Sequence, residues 1–425
     1  MRTSELKRLL SEGALAKYSE LYADVKYQTE RMMAAIDRFS EMYGDDRDIA
    51  IFSVPGRSEI MGNHTDHNHG CVLAGAIDRD IIAVAAKNDD GVVRFHSEGY
   101  PEDVVSLKDA SSPDNFKRNC SRALVGGVVN AFMNNGHKVG GYDAYSTTEV
   151  LKGSGISSSA AFEVMVGNIM NHLYNSGEID NKEIAKYSQY AENVFFGKPS
   201  GLMDQMACAV GGFVYIDFES PKSPVVEPIE FSLTGAGYSL CIVNTGGNHA
   251  NLTDDYASVP KEMKAVAAAF GREALRGLSE SDILAKAAEL RATVGDRALL
   301  RAFHFVRENA RVGEAKAALL ASDVGGFLSL VLESGRSSFE YLQNVYTTKN
   351  VSEQGLSLAL CVTDGLLAGK GCAYRVHGGG FAGTIQVFVK NEYADEYCCA
   401  IDALLGKGSA MKLKIRPRGA VKLFD

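Results

Sequence analysis

The chain has 425 residues, which is long enough for about two or three domains with substantial hydrophobic cores. Hydrophobic residues make up 46% of it and charged residues 23%, as is ordinary for a globular protein. The net charge of −9 and the pI near 5.6 argue against nucleic acid or an acidic membrane surface as the main partner, because both bind basic surfaces.

The first half of the chain predicts alternating helices and strands. Apolar residues recur every three or four positions over 4–43, which predicts an amphipathic helix or a helix pair. A strand over 49–54 is predicted to stop at Pro55-Gly56. Further strands are predicted at 80–87, 91–98, 140–150, 211–218 and 238–245, and helices at 114–135, 157–177 and 181–196.

The second half is predicted to be mostly helical from about residue 250 to the segment YRVHGGGFAGTIQVFVK, at 374–390. That segment predicts two strands joined by a Gly-rich turn, and a helix at 391–405 and a strand at 410–417 follow it. The stretch ESPKSPVVEP, at 219–228, is rich in proline and has little pattern. We therefore expect one domain over 1–220 and a second over 221–425.

Neither the ends nor the cysteines of the chain indicate export or membrane insertion. No apolar run approaches the ~18 residues of a membrane helix, and the charged start MRTSELKRLLSEG lacks the apolar segment of a secretory signal. The eight cysteines form no CxxC pair, so we expect reduced thiols. Together these features predict a cytoplasmic protein.

The stretch PGRSEIMGNHTDHNHGC, at 55–71, concentrates polar chemistry. Three histidines stand among acids and amides within seven residues, and the polar members of that run are Asn63, His64, Thr65, Asp66, His67, Asn68 and His69. Such a cluster could hold a metal, hold a substrate or cap a loop. A zinc site needs three or four ligands at defined spacing, and no second Cys/His cluster stands elsewhere to complete one.

The segment LKGSGISSSAAFEV, at 151–164, follows a predicted strand and opens a predicted helix. Its glycines and serines lie where a helix has unpaired N–H groups, so they could cradle a phosphate or simply cap the helix. The Rossmann pattern fails because Ser158 stands where a third glycine is needed. The nearest approach to a P-loop, GLLAGKG at 365–371, lacks one spacer and the hydroxyl residue.

Two carboxylates follow in AENVFFGKPSGLMDQM, at 191–206. Glu192 lies in a predicted helix, and Asp204 follows a Pro-Ser-Gly turn that could start another. Close to a phosphate loop, such a pair suits a magnesium ligand and a group facing the attacking hydroxyl. The same residues would also fit a solvated surface glutamate and an aspartate in the first turn of a helix.

Taken in order, these three segments and RVHGGGFAGT resemble the motifs of galactokinases, in the GHMP kinase superfamily, across residues 50 to 385. The resemblance implies an α+β fold with a ribosomal-S5-like N-terminal domain, a ferredoxin-like C-terminal domain and an active site in the cleft between them. It implies ATP and Mg²⁺ as cofactors and a small sugar as substrate. We expect a monomer without nucleic acid or membrane partners.

Carried over position by position, the resemblance assigns a role to each site residue. Arg57 lies beside the transferred phosphate and Asp204 is the catalytic aspartate. The sugar is contacted by Asn63, His64, Thr65, Asp66, Gly201 and Tyr256. The nucleotide phosphates lie on Gly153, Ser154, Gly155, Ile156, Ser157, Ser158 and Ser159, and Mg²⁺ is held by Ser159 and Glu192. The histidine cluster is then interpreted as binding sugar and ordering a loop, with His67 and His69 peripheral.

The chain departs from the family pattern mainly in the sugar-binding motif. Ser58-Glu59 replaces Val-Asn, Asn63 replaces a glutamate and His67 replaces a tyrosine. Ser200 replaces a cysteine and Ala382 a glycine in later motifs. If the loop folds back, Glu59 could restore the carboxylate missing at Asn63.

The implied activity is ATP-dependent phosphorylation of galactose at its C1 hydroxyl, in the Leloir pathway. The departures leave two other readings open, a kinase for another hexose or N-acetylhexosamine and a non-catalytic sugar sensor. The retained Arg57, Glu192 and Asp204 favour catalysis, because binding alone would not need all three.

Overall fold

The computed structural model describes residues 1–22, 24–150, 155–247 and 252–424. In this part of the chain the strands are β1 (Ala50–Met61), β2 (Cys71–Lys87), β3 (Val92–Ser97), β4 (Asp103–Ser106), β5 (Tyr142–Thr148), β6 (Phe213–Asp217), β7 (Val225–Ile229), β8 (Tyr238–Asn244), β9 (Ala373–His377), β10 (Thr384–Lys390), β11 (Ala410–Leu413) and β12 (Val421–Leu423).

The α-helices of the same residues are α1 (Thr3–Ser11), α2 (Val25–Tyr43), α3 (Ser121–Asn134), α4 (Ser158–Tyr174), α5 (Asn181–Tyr190), α6 (Met203–Val210), α7 (Thr253–Ala269), α8 (Glu280–Ala285), α9 (Ala287–Thr293), α10 (Asp296–Leu320), α11 (Val324–Ser337), α12 (Gly355–Leu367) and α13 (Asn391–Leu405). Two π-helical segments, Ala191–Phe196 and Ser338–Leu342, extend α5 and α11. The α+β class that the sequence predicted is confirmed.

The larger sheet has the strand order β12-β1-β2-β5-β3-β4, and β6 pairs with both β2 and β7. Its long central strand β2 pairs with β5 through one half and with β6 through the other. All of these pairings are antiparallel except the one between β3 and β5. Arg57 near the end of β1 contacts Asp204, which follows α5 along the chain.

Alternating side chains on the central strands fill two separate cores. Phe52 and Val54 point into the core beneath α3–α6, whereas Ile51 on the same strand packs with α1 and α2. Because both faces of these strands are covered, they read as continuous apolar runs rather than alternating ones. The helix pair predicted over 4–43 is confirmed as α1 and α2.

The prediction that the first strand stops at Pro55-Gly56 is wrong. β1 continues to Met61, and its pairing with β2 shifts register between Pro55 and Arg57 and again between Glu59 and Met61. Proline lacks an N–H donor, and a bulge accommodates it without ending the strand. As a result, Arg57 and Glu59 lie on a strand of the central sheet and not in a loop.

The smaller sheet has the order β11-β8-β10-β9 and is antiparallel throughout. Helices α12 and α13 share a core with it, and α7–α10 form a further apolar cluster around Phe305. The predicted helical region between about 250 and 374 is confirmed. None of the helices within the described ranges is both long and apolar enough to span a membrane.

The division at residue 220 stays a prediction. Two strands that follow it along the chain belong to the larger sheet, because β7 pairs with β6 and β12 pairs with β1. The proline-rich stretch 219–228 thus includes part of a strand. β7 and β12 were not predicted, since both are short and lack the apolar alternation by which strands are recognised.

Candidate active site

Arg57 and Asp204 form a two-point ion pair at the centre of the predicted site. Arg57 Nε donates to Asp204 Oδ1 and its NH2 group donates to Oδ2, both at 2.7 Å. This fork geometry fixes the carboxylate plane as well as its position. Asp204 lies in the first turn of α6, as the sequence predicted, where the helix dipole also favours a negative charge.

The ion pair keeps Asp204 ionised. Burial by itself would raise the pKa of this carboxyl, but the charge and hydrogen bonds of Arg57, together with Ser157 and Lys198, outweigh it, and the pKa lies below its usual value. The Asp204 side chain is still 31% exposed, compared with 10% for Arg57. An ionised carboxylate that a ligand can reach is suited to accept or orient a hydroxyl proton.

The Gly-Ser loop is attached directly to this pair. Arg57 NH1 donates to the Gly155 carbonyl at 2.6 Å, and the Arg57 backbone N–H donates to the Ile156 carbonyl at 3.1 Å. Gly155 has a φ of +75°, and a side chain there would meet Thr384 Oγ1. Gly153 and Ser154, which were predicted to hold phosphate, lie outside the described residues.

Ser157 has a contact that the sequence did not indicate. It is the N-cap residue of α4, but its hydroxyl makes no capping bond and instead donates to Asp204 Oδ2 at 2.7 Å. The first turn of α4, which contains Ser158 and Ser159, therefore begins without a side-chain cap. Uncapped N–H groups at a helix start are the groups that bind phosphate.

The predicted sugar-binding run meets the Gly-rich turn between β9 and β10. Asn63 Nδ2 donates to the Gly378 carbonyl at 2.6 Å, and His64 Nε2 lies 3.0 Å from the Gly379 carbonyl. Burial lowers the pKa of His64 to about 4, so the ring is neutral near pH 7 and donates from Nε2. Its Nδ1 is then an acceptor.

Tyr256 of α7, which the sequence assigned to the sugar, contacts the same turn. Its hydroxyl donates to the Gly380 carbonyl at 2.9 Å, and its ring packs edge-on against Phe381 at 5.4 Å. Thr65 is fully buried, and its hydroxyl contacts the carbonyls of Gly62 and Cys71. Thr65 therefore stabilises the turn, and a direct contact of Thr65 with sugar stays a prediction.

Asp66 and Gly201 approach each other closely. A methyl group on Gly201 would lie 2.8 Å from Asp66 Oδ2. Asp66 is further fixed by the His67 backbone N–H, which donates to its Oδ1 at 2.9 Å. The two residues come from distant motifs, so their contact supports their assignment to one pocket.

Replacing Gly201 by alanine is expected to displace the Asp66 carboxylate. We expect the KM for the sugar to rise by roughly tenfold or less, since one hydrogen bond to a charged group is weakened. The KM for ATP should not change. Gly365→Ala, in α12 with nothing within 4 Å of the added methyl, is the matched control. If the KM for the sugar is unchanged in Gly201→Ala, the assignment of Asp66 to the sugar pocket is contradicted.

Glu192, the predicted metal ligand, lies in the π-helical segment after α5. Lys198 Nζ lies 2.8 Å from its Oε1, while Ser200 Oγ and Gln205 Nε2 donate to Oε2 at 2.6 and 2.8 Å. π-helical turns inserted in α-helices are frequent at functional sites. Three polar partners therefore hold a carboxylate that is only 4% exposed.

Sequence reasoning missed Glu163, one turn beyond Ser159 on α4. Gln205 Nε2 bridges it to Glu192, and Glu163 Oε1 is buried without a hydrogen-bond partner among the described residues. Burial and then the charge of Glu192 raise its pKa well above the usual value. The carboxylate oxygens of Glu192 and the unpartnered oxygen of Glu163 are hard ligands of the kind that Mg²⁺ takes.

The other histidines lie at the edge of the cluster. His67 Nε2 is 3.7 Å from Asp66 Oδ1 and its side chain is 43% exposed, and the His69 carbonyl accepts from Arg276. Within the described ranges, no grouping of three or more His, Cys, Asp or Glu side chains is suited to a metal ion. The assignment of this stretch to sugar stays a prediction.

Two protein-family profiles match the chain. The profile described as "Galactokinase galactose-binding signature" covers residues 37–87, which include Arg57 and the histidine cluster. The profile described as "GHMP kinases N terminal domain" covers residues 123–212, which include the Gly-Ser loop, Glu192 and Asp204. The two matches therefore span the residues that the structure brings together.

Curated relatives and solved structures indicate the same family as the two profiles. The galactokinase of Streptomyces coelicolor is 32% identical over 369 residues, which are 86% of this chain and 91% of the relative. That of Actinobacillus pleuropneumoniae serotype 3 is 32% identical over 84% of this chain and 89% of its own.

Among solved structures, Lactococcus lactis galactokinase complexed with galactose superposes with a TM-score of 0.77 at 23% identity, covering 92% of this chain and all of its own. Methanococcus jannaschii mevalonate kinase superposes with a TM-score of 0.61 at 13% identity, covering 87% and 98%. These two likenesses establish the two-domain GHMP kinase fold. With the sequence identity to the curated relatives, they show that the chain belongs to the galactokinase family of the GHMP kinases.

Proposed function

We propose that this protein transfers the γ-phosphoryl group of ATP to the C1 hydroxyl of galactose, giving ADP and galactose 1-phosphate. Membership in a kinase family implies ATP as a substrate. The observation that carries the proposal is the Arg57–Asp204 ion pair, because it joins the Gly-Ser loop to an ionised carboxylate that a ligand can reach. That arrangement suits phosphoryl transfer, which needs positioning and charge neutralisation more than covalent chemistry.

Asp204 accepts the proton of the sugar hydroxyl or orients that hydroxyl for attack. Oδ2 already accepts from both Arg57 and Ser157, whereas among the described residues Oδ1 accepts only from Arg57. A carboxylate oxygen has two lone pairs, so Oδ1 keeps one for the hydroxyl. Arg57 holds the carboxylate in place and neutralises charge that develops on the transferred group.

The phosphates of ATP are bound at the start of α4. The uncapped first turn supplies backbone N–H groups, and the helix dipole supplies a favourable field. Ser159 and Glu192 supply oxygen ligands of the type that Mg²⁺ takes. When bound there, Mg²⁺ would neutralise charge on the phosphate oxygens.

The sugar lies against the Gly-rich turn, His64, Asp66 and Tyr256. His64 contributes an acceptor at Nδ1 and Asp66 a carboxylate, so both fit hydroxyl donors of a hexose. A monomeric enzyme and a cytoplasmic location stay predictions. Size-exclusion chromatography with light scattering checks the first of these.

ADP release measured across a panel of hexoses and hexosamines tests the proposed function. Galactose is expected to give the highest kcat/KM, and N-acetylgalactosamine and glucose are expected to give much less. The product should carry phosphate on C1, as nuclear magnetic resonance can show. A preference for an N-acetylhexosamine would contradict the proposed substrate, and sugar binding without ADP release would contradict catalysis.

Glu192→Gln is expected to weaken the binding of Mg²⁺ while it preserves the packing. The amide keeps an acceptor for Ser200 but loses the charge that a hard cation needs. We expect the Mg²⁺ concentration at half-maximal turnover to rise by roughly tenfold or more. Glu183→Gln, an exposed carboxylate on α5 that is paired with Lys186, is the matched control. The same Mg²⁺ dependence in both variants would exclude Glu192 as a ligand.

A further inference from the structure

The polar residues at 59 and 63 are interchanged relative to the galactokinase pattern. The pattern places asparagine four residues before glutamate, and this chain places Glu59 four residues before Asn63. The two side chains are in contact, since Asn63 Nδ2 donates to Glu59 Oε1 at 2.9 Å. This chain thus has one carboxylate and one amide at these two positions, as the pattern does, but the charge lies at the other position.

Asn63 has no hydrogen-bonding capacity left for a ligand. An asparagine amide has two N–H donors and two acceptor lone pairs. Nδ2 donates to Glu59 and to the Gly378 carbonyl, and Oδ1 accepts from Asn344 Nδ2 at 2.7 Å and from Ser338 Oγ at 3.4 Å. Asn63 is also 0% exposed. A sugar could reach its amide only by breaking one of these bonds.

Glu59 retains an oxygen atom that is available. Its Oε1 accepts from Asn63, whereas no residue in the described part of the chain donates a hydrogen bond to Oε2. Glu59 is 8% exposed. Burial raises the pKa of its carboxyl, and the charges of Arg57 and Asp66 also act on it. The carboxylate therefore lies within electrostatic range of both the arginine beside Asp204 and the acid beside Gly201.

The surroundings of Glu59 hold it in place. Its backbone N–H donates to His377 Nε2 at 3.3 Å, which connects β1 to the end of β9, next to the Gly-rich turn. The buried guanidinium of Arg375 lies 3.9 Å from Oε1 and donates from NH1 to the Ile60 carbonyl at 3.1 Å. A carboxylate fixed between an amide and a buried cation loses little freedom when it accepts a further hydrogen bond.

We infer that Glu59, rather than Asn63, accepts a hydrogen bond from a hydroxyl group of the bound hexose, and that Asn63 positions the Glu59 carboxylate. The inference rests on the proposed function, because it takes a hexose as the substrate. A carboxylate that faces a substrate hydroxyl discriminates against an analogue with hydrogen at that position, since its acceptor then stays unpaired. Glu59 is thus a specificity-determining residue for the phosphoryl transfer.

The test compares galactose with its 2-, 3-, 4- and 6-deoxy analogues in the native protein and in Glu59→Gln. The penalty for each missing hydroxyl is defined as the kcat/KM for galactose divided by the kcat/KM for that deoxy analogue, and it is first measured in the native protein. One of these penalties is expected to fall by about tenfold in the glutamine variant, because a charge-assisted bond becomes a neutral one. The other penalties and the KM for ATP should stay within about twofold of native.

Two further variants separate a sugar contact from a structural role. Glu59→Asp keeps the charge, but its side chain is shorter by one methylene, so the carboxylate lies farther from the sugar. We expect it to reduce the penalty that Glu59→Gln reduces, but by a smaller factor. The double exchange Glu59→Asn/Asn63→Glu restores the order of the family pattern, and it is expected to recover a penalty that Glu59→Gln has lost. A purely structural role for Glu59 would lower the Tm and change the rates of all analogues alike.

The inference would be overturned if the penalties for all four deoxy analogues in Glu59→Gln and in Glu59→Asp were the same as in the native protein. A failure of the proposed function has a different signature, which calorimetric titration of galactose identifies. If the native protein binds galactose but releases no ADP, the proposed activity fails, and dissociation constants for the same deoxy analogues still test Glu59. If it binds no hexose at all, both the activity and the inference fail.

Discussion

Asp204→Asn is expected to reduce turnover by roughly 10²-fold or more, because the amide cannot accept the hydroxyl proton as a carboxylate does. The KM values for ATP and sugar should stay within several-fold of native, since the side chain keeps its shape. Both oxygens of Asp204 accept hydrogen bonds from Arg57, and one also accepts from Ser157. The amide nitrogen of asparagine replaces one of these oxygens and cannot accept, so at least one of the bonds is lost. Steady-state kinetics with a coupled ADP assay measures both effects.

The matched control is Asp296→Asn. Asp296 is also paired with an arginine, Arg291, and it lies in the first turn of a helix, but its side chain is 69% exposed and far from the site in sequence. That variant should retain native turnover and a nearly native Tm. An Asp204→Asn protein that is folded and turns over within a few-fold of native would contradict the role assigned to Asp204.

Arg57→Gln is expected to reduce turnover by roughly 10²- to 10³-fold and to move the acid limb of the pH–rate profile to higher pH. In the native protein burial raises the pKa of Asp204, Arg57 together with Ser157 and Lys198 lowers it by more, and the group is ionised well below neutral pH. Without the cation, burial is opposed mainly by weaker contacts, so the pKa rises. Activity that depends on ionised Asp204 is then lost at a higher pH as the solution is acidified.

Arg57→Lys separates the charge of this residue from its geometry. Lysine keeps a cation near Asp204 but cannot make the two-point contact, so the acid limb should stay near its native position while turnover falls. Thermal melting of each variant at the assay pH shows whether the fold survives. An acid limb in Arg57→Gln that coincides with the native one would mean that Arg57 does not control the protonation of Asp204.

Most residues of the candidate site were assigned from the sequence, and their roles stay predictions. Local motifs carry their own signals: serines before an apolar helix predict a helix start, and a turn before Asp204 predicts another. The order of four such motifs predicted the family, and Arg57, Glu192 and Asp204 were assigned by matching positions in them. The structure brings Arg57 and Asp204 into contact across 147 residues, which supports placing them in one site.

Partners within the site were decided by tertiary structure. The sequence placed Ser157 on phosphate, but its hydroxyl contacts Asp204, and nothing in the spacing indicated that Gln205 bridges Glu163 and Glu192. Side-chain direction depends on backbone dihedrals at single residues, such as the φ of 63° at Ser157. Propensities and periodicity do not specify such angles.

The sequence by itself determined the composition of the sugar loop, including the unusual pair Glu59 and Asn63. It did not determine which of the two faces the ligand. That depends on Asn344, which lies 281 residues away along the chain and donates a hydrogen bond to the amide oxygen of Asn63. It also depends on β1, which continues past Pro55 and so places Glu59 on a strand. A hydrogen-bonding group is available to a ligand only when no other part of the chain has already satisfied it, and contacts at such separations are set by tertiary packing.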